Sequence, residues 1–221
     1  MSRGLHGAVA RRHRVGSAAL LALGLVAGCE RIEVDYEARD AELSKLDIAG
    51  APLAPTAGPW ACVHDAGTGL TWEVKTGDEG VHHGGWTFTW RDPSWPRQAQ
   101  GTCPPALFDS CDTAQLVART NRERLCGYDD WRLPTAAELE TLLDLRVPKP
   151  GPRVIGCYFP YTQRGSYWTS DRAEPVGRQR GRGYASIDFA TGTSRGLLFN
   201  RSLYVRLVRG PMRPLKSAAQ D

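Results

Sequence analysis

Arginine side chains cluster in the last third of the chain, where they could together bind an anionic ligand. A guanidinium group presents a planar fork of N–H donors that fits sulfate, carboxylate and phosphate groups. Two aromatic residues of the same region could offer a surface on which a sugar ring stacks. The candidate ligand-binding residues are therefore Arg178, Arg180, Arg182, Arg195, Arg201, Trp168 and Tyr184.

The charge distribution along the chain favours such a basic surface. Residues 48–145 hold 7 basic and 13 acidic side chains (net −6), whereas residues 146–221 hold 14 basic and 4 acidic ones (net +10). The whole chain carries +4, but residues 1–28 contain 4 basic and no acidic side chains, so the remainder is neutral. The net charge therefore does not indicate nucleic-acid binding. The alternative for the basic stretch is a solvated loop that the acidic half partly neutralises.

The sequence offers no set of residues suited to catalysis. Asp129 and Asp130 are adjacent, but neighbours on a strand point to opposite faces, and the pair suits a turn before Trp131 better. His82 and His83 have no CxxC pair with which to form a zinc site. A nucleophile–base pair and a phosphate-binding loop are also missing from the sequence. We therefore expect no enzymatic activity, no metal and no cofactor.

The N-terminus has the organisation of an export signal. A basic segment is followed by the apolar run Val15–Val26, which is shorter than the roughly 20 residues that span a membrane. The run ends in Val26-Ala27-Gly28-Cys29, which resembles the bacterial lipobox, whose cysteine carries a diacylglycerol. We expect a signal peptide over residues 1–28 and a lipid anchor at Cys29. The residue after this cysteine is Glu30 and not Asp, and we therefore expect an outer-membrane location. The alternative is an ordinary signal peptide that ends near a cysteine.

Lipidation of Cys29 would leave five thiols in an exported protein, a setting that favours disulfides. The spacing alone does not select one pairing. We expect Cys103 to pair with Cys111, which would fix a loop to the following helix. We expect Cys62 to pair with Cys126, which would join the start of the domain to the end of that helix. Cys157 is then expected to be free or to pair with another molecule.

Residues 29–59 are predicted to be a tether in front of the folded domain. The segment begins with acidic residues and ends in Ala49–Pro59, which is rich in Pro, Ala and Gly and has no aromatic residue. Such a composition cannot bury enough apolar surface to fold. A short helix over Tyr36–Leu46 is the one element expected in it. The folded domain is predicted to cover residues 60–210, with a flexible tail over residues 211–221.

The elements that would position these residues follow from hydrophobic periodicity and capping signals. Period-two alternation predicts strands over Gly69–Val74 and Trp86–Trp90. The same signal predicts a final antiparallel meander with a turn at Thr191-Gly192, its strands covering Tyr184–Phe189, Arg195–Phe199 and Tyr204–Arg209.

Two helices lie between these groups of strands. Asp112 and Gln115 have the spacing of a capping box at the start of a helix over Asp112–Leu125. Thr135 and Glu138 have the same spacing at the start of a second helix. Its buried stripe is Leu139, Leu142 and Leu143. Helices inserted between antiparallel strands predict the α+β class.

Several segments together resemble a bacterial domain family that is named after the C-terminal domain of the Legionella collagen-like adhesin. The resemblance covers residues 60–210, and its most specific part is the run Trp131-Arg-Leu-Pro-Thr135 with Glu138 behind it. The other matching segments are Thr68–Glu73, Leu125–Asp130, Tyr158–Pro160, Tyr167–Ser170 and Tyr204–Gly210.

This resemblance implies a fold similar to C-type-lectin-like domains and to formylglycine-generating enzymes. It places Arg132 at a helix start, where it can pair with a core carboxylate. We expect Arg206 and Arg209 to be structural as well. The chain lacks the paired C-terminal cysteines of the formylglycine-generating enzymes and the Glu-Pro-Asn and Trp-Asn-Asp signatures of calcium-dependent lectins.

The adhesin's domain is known for binding sulfated glycosaminoglycans. The resemblance and the arginines together predict a lipid-anchored envelope protein with a non-catalytic domain that binds an anionic polysaccharide. The alternative is a structural or protein-interaction module of the envelope without a glycan ligand.

Overall fold

The computed structural model describes residues 41–93, 101–149, 151–174 and 183–213, which form an α+β domain. Its helices are α1 (Thr113–Glu123) and α2 (Ala136–Glu140), and a 3₁₀ turn covers Leu125–Gly127. Its strands are β1 (Leu43–Leu46), β2 (Cys62–Asp65), β3 (Thr71–Glu73), β4 (Phe88–Thr89), β5 (Ser166–Arg172), β6 (Gly183–Asp188), β7 (Thr193–Leu198), β8 (Ser202–Leu203) and β9 (Val208–Arg209).

The strands form three sheets in which all neighbours are antiparallel. The largest has the order β1-β2-β3-β9, and Trp72 at its centre lies opposite Val63 on one side and Val208 on the other. A second sheet has the order β5-β6-β7, and β4 pairs with β8 in a two-stranded ribbon. The α+β class predicted from the sequence is confirmed.

The predicted tether is wrong for residues 41–59. Leu43–Leu46 forms the edge strand β1, which pairs with β2 along its whole length, so it is not part of a helix. Gly50, at φ +89°, turns the chain against the carbonyl of Cys126, where a Cβ would clash. The domain therefore begins ahead of Trp60. Long-range pairing supplies the hydrogen bonds of β1, and the local composition of this segment gives no signal for such pairing.

Only the end of the last predicted strand, Tyr204–Arg209, is a strand in the structure, namely β9, which pairs with β3. The preceding strand β8 ends at Leu203 and pairs with β4. Between them Arg206 is buried in the core, where it is 1% exposed. The meander is therefore confirmed for β6 and β7 and wrong beyond them.

The helix starts agree with their capping signals. Asp112 accepts a hydrogen bond from the Gln115 amide at 3.0 Å, and α1 ends at Arg124, whose φ is +52°. At α2 the side chain of Thr135 accepts from the Glu138 amide, while the Glu138 carboxylate accepts from the Thr135 amide. Both halves of the predicted capping box are present, so two amides without partners inside the helix are bonded.

Both expected disulfides are present. Cys62 is bonded to Cys126, which joins β2 to the turn after α1, and Cys103 is bonded to Cys111 just ahead of α1. Cys157 is disulfide-bonded as well, so the expectation of a free or intermolecular thiol there is wrong. Cys29 lies outside the described residues.

We predict that the two bridges differ in their effect on stability. The Cys62–Cys126 bridge joins residues 64 positions apart, and the Cys103–Cys111 bridge joins residues 8 apart. Because a longer closed loop restricts the unfolded chain more, replacing the first pair by alanine should lower the free energy of unfolding by about 4 kcal/mol and the second by about 2.5 kcal/mol. Urea unfolding of the two double variants measures this difference. Equal losses would contradict it.

Candidate functional site

One end of the three-stranded sheet gathers the candidate arginines. Arg172, at the end of β5, lies opposite Tyr184, near the start of β6. Leu198, at the end of β7, lies opposite Gly183, the first residue of β6. The connection from β5 to β6 and the turn after β7 therefore start from the same end of the sheet. We call this the basic end.

Three exposed arginines lie at the basic end. Arg172 ends β5, and Arg201 lies in the turn after β7, where its amide donates to the carbonyl of Leu198 at 3.0 Å. Arg91 is brought beside this turn because the amide of Trp90 donates to the carbonyl of Phe199 at 2.9 Å. Within the described residues, none of the three guanidinium groups has a hydrogen bond or ion pair. Sequence analysis did not select Arg91 or Arg172, because β4 and β5 reach this end only through sheet pairing.

The remaining predicted arginines have different positions. Arg178, Arg180 and Arg182 belong to the segment that joins β5 to β6, and they lie outside the described residues. Arg195 is exposed, but it lies opposite Ser186 in the middle of the edge strand β7. Glu174 is an exposed acidic residue near the end of β5. Asp92 and Asp171 adjoin Arg91 and Arg172 but are less exposed. Among the exposed side chains of the basic end, arginines therefore outnumber acids, and this exposed charge favours an anionic ligand.

The predicted stacking surface is wrong. Trp168 is 0% exposed, and its ring nitrogen donates to the carbonyl of Phe88 at 2.8 Å. Tyr184 is 4% exposed and stacks on Trp90 with ring centroids 3.4 Å apart. Both rings are inside because β4 packs over this face of the sheet, an arrangement that no local pattern in β5 or β6 signals.

Two arginines that were expected to be structural form specific ion pairs. Arg132 makes a bidentate pair with Glu138, with both N–O distances at 2.7 Å, and also donates to the carbonyl of Gly210. Burial raises the pKa of Glu138, but the hydrogen bonds from Arg132 and the Thr135 amide outweigh it, so the pKa lies below its ordinary value. Arg209 pairs with Asp130 at 2.7 Å and 3.0 Å. The expected pairing of Arg132 with a core carboxylate is confirmed.

A buried ionic cluster around Glu73 was not predicted from the sequence. One oxygen of the Glu73 carboxylate accepts from Lys75 and from His82, each at 2.7 Å, and the other accepts from the Leu207 amide at 2.8 Å. Arg206 donates to the Glu73 carbonyl at 2.6 Å. The second ring nitrogen of His82 lies 3.6 Å from Glu123 of α1. The cluster therefore connects β3, α1 and the segment before β9.

The pKa values in this cluster follow from the pairing of its charges. Burial by itself raises the pKa of Glu73. The Lys75 charge and the hydrogen bond from His82 have a larger, opposite effect, so the pKa lies at about 2. Burial lowers the pKa of His82, but its hydrogen bonds to Glu123 and Glu73 raise it above its ordinary value. Burial lowers the pKa of Lys75. Glu73 and Lys75 are 0% and 4% exposed, so we assign the cluster a structural role.

One sequence signal could have indicated this cluster. Glu73, at the end of β3, and Lys75, two residues later, alternate with the buried Trp72 and Val74. This alternation indicates that both charges lie on one side of a buried segment. Charged side chains at such positions are stable only when they are paired. The sequence showed His82 only as a histidine without cysteines to complete a zinc site. Its contact with Glu73 depends on the path of the loop after β3.

The described residues contain no group of three or more His, Cys, Asp or Glu side chains placed to hold a metal ion. Neither helix in the described ranges is long and apolar enough to cross a membrane.

Comparison with known proteins gives one result. The model of the family described as the Lcl C-terminal domain matches residues 61–209, more than half of the chain. The matched range runs from just before β2 to the end of β9. Searches of curated proteins and of solved structures found no match.

We predict that Glu73→Gln lowers stability and changes its pH dependence. Because Lys75 and Arg206 would lose a buried counter-charge, the free energy of unfolding at neutral pH should fall by about 3 kcal/mol. In the wild type the unfolded chain binds more protons between the ordinary glutamate pKa and about 2, so stability falls as pH drops through this range. The variant should lack this part of the slope in urea unfolding across a pH series.

The matched control is Glu79→Gln, which removes an exposed carboxylate from the loop after β3. It should leave both the free energy of unfolding and its pH slope close to those of the wild type. The assignment is wrong if Glu73→Gln retains the wild-type acid slope.

Proposed function

We propose, since the chain belongs to the Lcl C-terminal domain family, that its folded domain is a non-catalytic binding domain for an anionic polysaccharide. We further propose that an exported, lipid-anchored protein of the cell envelope carries this domain. The single observation on which the binding proposal depends is the group of exposed arginines at the basic end, Arg91, Arg172 and Arg201.

The basic end has the physical properties that a polyanion requires. Its guanidinium groups come from three separate elements, so they are spread along a surface and can contact successive sulfates or carboxylates of one chain. Each group keeps its fork of donors available, because within the described residues no carboxylate occupies it. Exposed charges of one sign steer an oppositely charged chain and bind it more weakly as salt rises.

The two rings that were expected to stack on the sugar are not available at this site, and this narrows the mode of binding. Trp168 and Tyr184 are buried, so the proposed ligand is held by its anionic groups, and its sugar rings need not stack. Such a site selects charge density, and it distinguishes poorly between sugars of equal charge. Sulfated and carboxylated polysaccharides of similar charge spacing should therefore both bind.

We also propose that the arrangement of sheets and helices is C-type-lectin-like. Its support is the combination of antiparallel sheets with two helices, the short final strands and two disulfides in a loop-rich chain. A search of an experimentally determined structure of this domain against C-type-lectin-like domains tests this assignment.

We predict that replacing Arg91, Arg172 and Arg201 together by alanine weakens binding to heparin. Loss of three exposed ion pairs should raise the dissociation constant by about 10- to 100-fold at low salt and reduce the salt dependence of binding. Calorimetry on residues 29–221 of the oxidised protein, which keep all six cysteines, measures both effects across a salt series. Neutral dextran serves as the uncharged probe and should not bind at this site.

The matched control replaces three exposed arginines outside the basic end, Arg122, Arg164 and Arg213, and therefore removes the same charge. It should retain most of the heparin affinity. Equal losses in both variants would assign binding to net charge alone. If the folded wild-type domain binds no anionic polysaccharide, the proposal is overturned and a protein partner in the envelope becomes the alternative.

The lipid anchor gives a separate prediction. Mass spectrometry of the membrane-extracted protein should show a mature chain that begins at Cys29 with a diacylglycerol on its sulfur, and Cys29→Ala should release the protein from the membrane. An unmodified Cys29 in the membrane-extracted protein would overturn the anchor.

A further inference from the structure

Tyr161 presents an aromatic ring to solvent from an unfavourable backbone conformation. Its side chain is 58% exposed, whereas the other large rings of the described core are mostly covered. Its φ is +56°, in the left-handed region that is costly for a bulky side chain. The exposed ring does not contribute the free energy that its burial would give, and the left-handed backbone conformation of Tyr161 costs additional free energy. Backbone strain of this kind is concentrated at functional sites.

Two glycines in the loop after β3 make room for Tyr161. A Cβ on Gly77 would come within 2.6 Å of the tyrosine ring, and a Cβ on Gly84 would clash with the Tyr161 carbonyl. One face of the ring therefore lies against bare backbone. The loop supports the ring from below and leaves its other side open to solvent.

The chain on both sides of Tyr161 is fixed by buried groups. Thr162 donates to the carbonyl of Phe159 at 2.7 Å and accepts from the buried guanidinium of Arg206 at 2.8 Å. The next amide, of Gln163, donates to the Tyr167 hydroxyl at 2.7 Å. Tyr161 is therefore preorganised, so a ligand that stacks on it loses little conformational entropy of the protein.

We propose that Tyr161 is a stacking platform for an uncharged sugar ring, supported by Gly77 and Gly84. An aromatic ring with one exposed face fits the apolar face of a pyranose, and its hydroxyl can bond to the sugar's edge. The exposed carboxylates of Asp78 and Glu79 follow Gly77 directly and can accept hydrogen bonds from sugar hydroxyls. One Asp78 oxygen already accepts from Thr76 and Gly80, which leaves the other available.

The charges around this platform exclude the polyanion as its ligand. Asp78 and Glu79 would repel sulfate, and Arg164 is the exposed cation nearby in the sequence. Tyr161 also precedes the start of β5, whereas Arg172 ends that strand, so the platform and the basic end lie at opposite ends of β5. The inference therefore goes beyond the proposed function and does not depend on it.

The sharpest test is Tyr161→Gly. Glycine adopts a φ of +56° without strain, so this variant should keep or raise the free energy of unfolding while it removes the ring. The binding probes are cellohexaose, maltohexaose and mannohexaose, three neutral oligosaccharides, titrated by calorimetry and by ligand-observed NMR. The wild type should bind at least one of them, and the glycine variant should bind it at least about tenfold more weakly.

Two further variants complete the test. Tyr161→Phe keeps the ring and should retain most of the affinity, and Leu145→Ala removes another exposed apolar side chain and should change nothing. Absence of binding to all three probes overturns the platform, as does a glycine variant that binds as well as the wild type. Heparin binding should be unaffected by Tyr161→Gly, so failure here is distinguishable from failure of the polyanion proposal.

Discussion

The carboxylate of Glu73 is fully buried, and the groups that neutralise it come from different parts of the chain. Lys75 lies two residues after the end of the same strand, His82 lies in the following loop, and the Leu207 amide belongs to the segment before β9. An unpaired carboxylate in this position would be strongly destabilising, so the fold is stable only when all three segments come together. The cluster therefore favours one arrangement of loop, helix and final strand over alternatives that apolar packing alone would allow.

The proposed surface at Tyr161 depends on this arrangement. Arg206, directly before Leu207, is held between the Glu73 carbonyl and Thr162, and Thr162 is the residue next to Tyr161. A buried interaction without contact to ligand thus fixes the chain beside an exposed ring. The basic end depends on strand pairing instead, since the pairing of β8 with β4 and the hydrogen bond from Trp90 to Phe199 place Arg91 beside Arg201. The two surfaces differ in chemistry, one basic and one aromatic beside carboxylates.

The rest of the molecule is stabilised by covalent and steric means suited to a domain with short strands. Several strands have only two or three residues and provide few ladder hydrogen bonds. Three other features add stability where these hydrogen bonds are few. They are the Cys62–Cys126 bridge, the close approach of Gly50 to Cys126 and the fully buried Trp72.

The sequence by itself determined the features that depend on neighbouring residues. Asp112 and Thr135 cap the two helices as their spacing predicted, and Arg132 reaches Glu138 because both lie within two turns of one helix start. Local capping and pairing energies are set within a few residues, so they are visible in a single sequence. The family resemblance also came from the sequence, through its motifs. Export chemistry made disulfides expected, and the two pairs that were expected are present, but the spacing did not select them and the state of Cys157 was predicted wrongly. The basic second half was evident from counting charges alone.

Tertiary structure alone decided which of these residues meet solvent and which meet each other. Trp168 and Tyr184 were predicted to face a ligand, but β4 covers them; residues 43–46 were assigned to a tether, but they complete a sheet. Arg91 joins Arg201, and Glu73 meets Leu207, only through contacts between segments far apart in the chain. Such contacts are made by packing whole elements, and the free energy of each depends on partners that no local pattern specifies. Exposure and long-range neighbourhood, on which both proposed sites depend, are therefore properties of the folded chain.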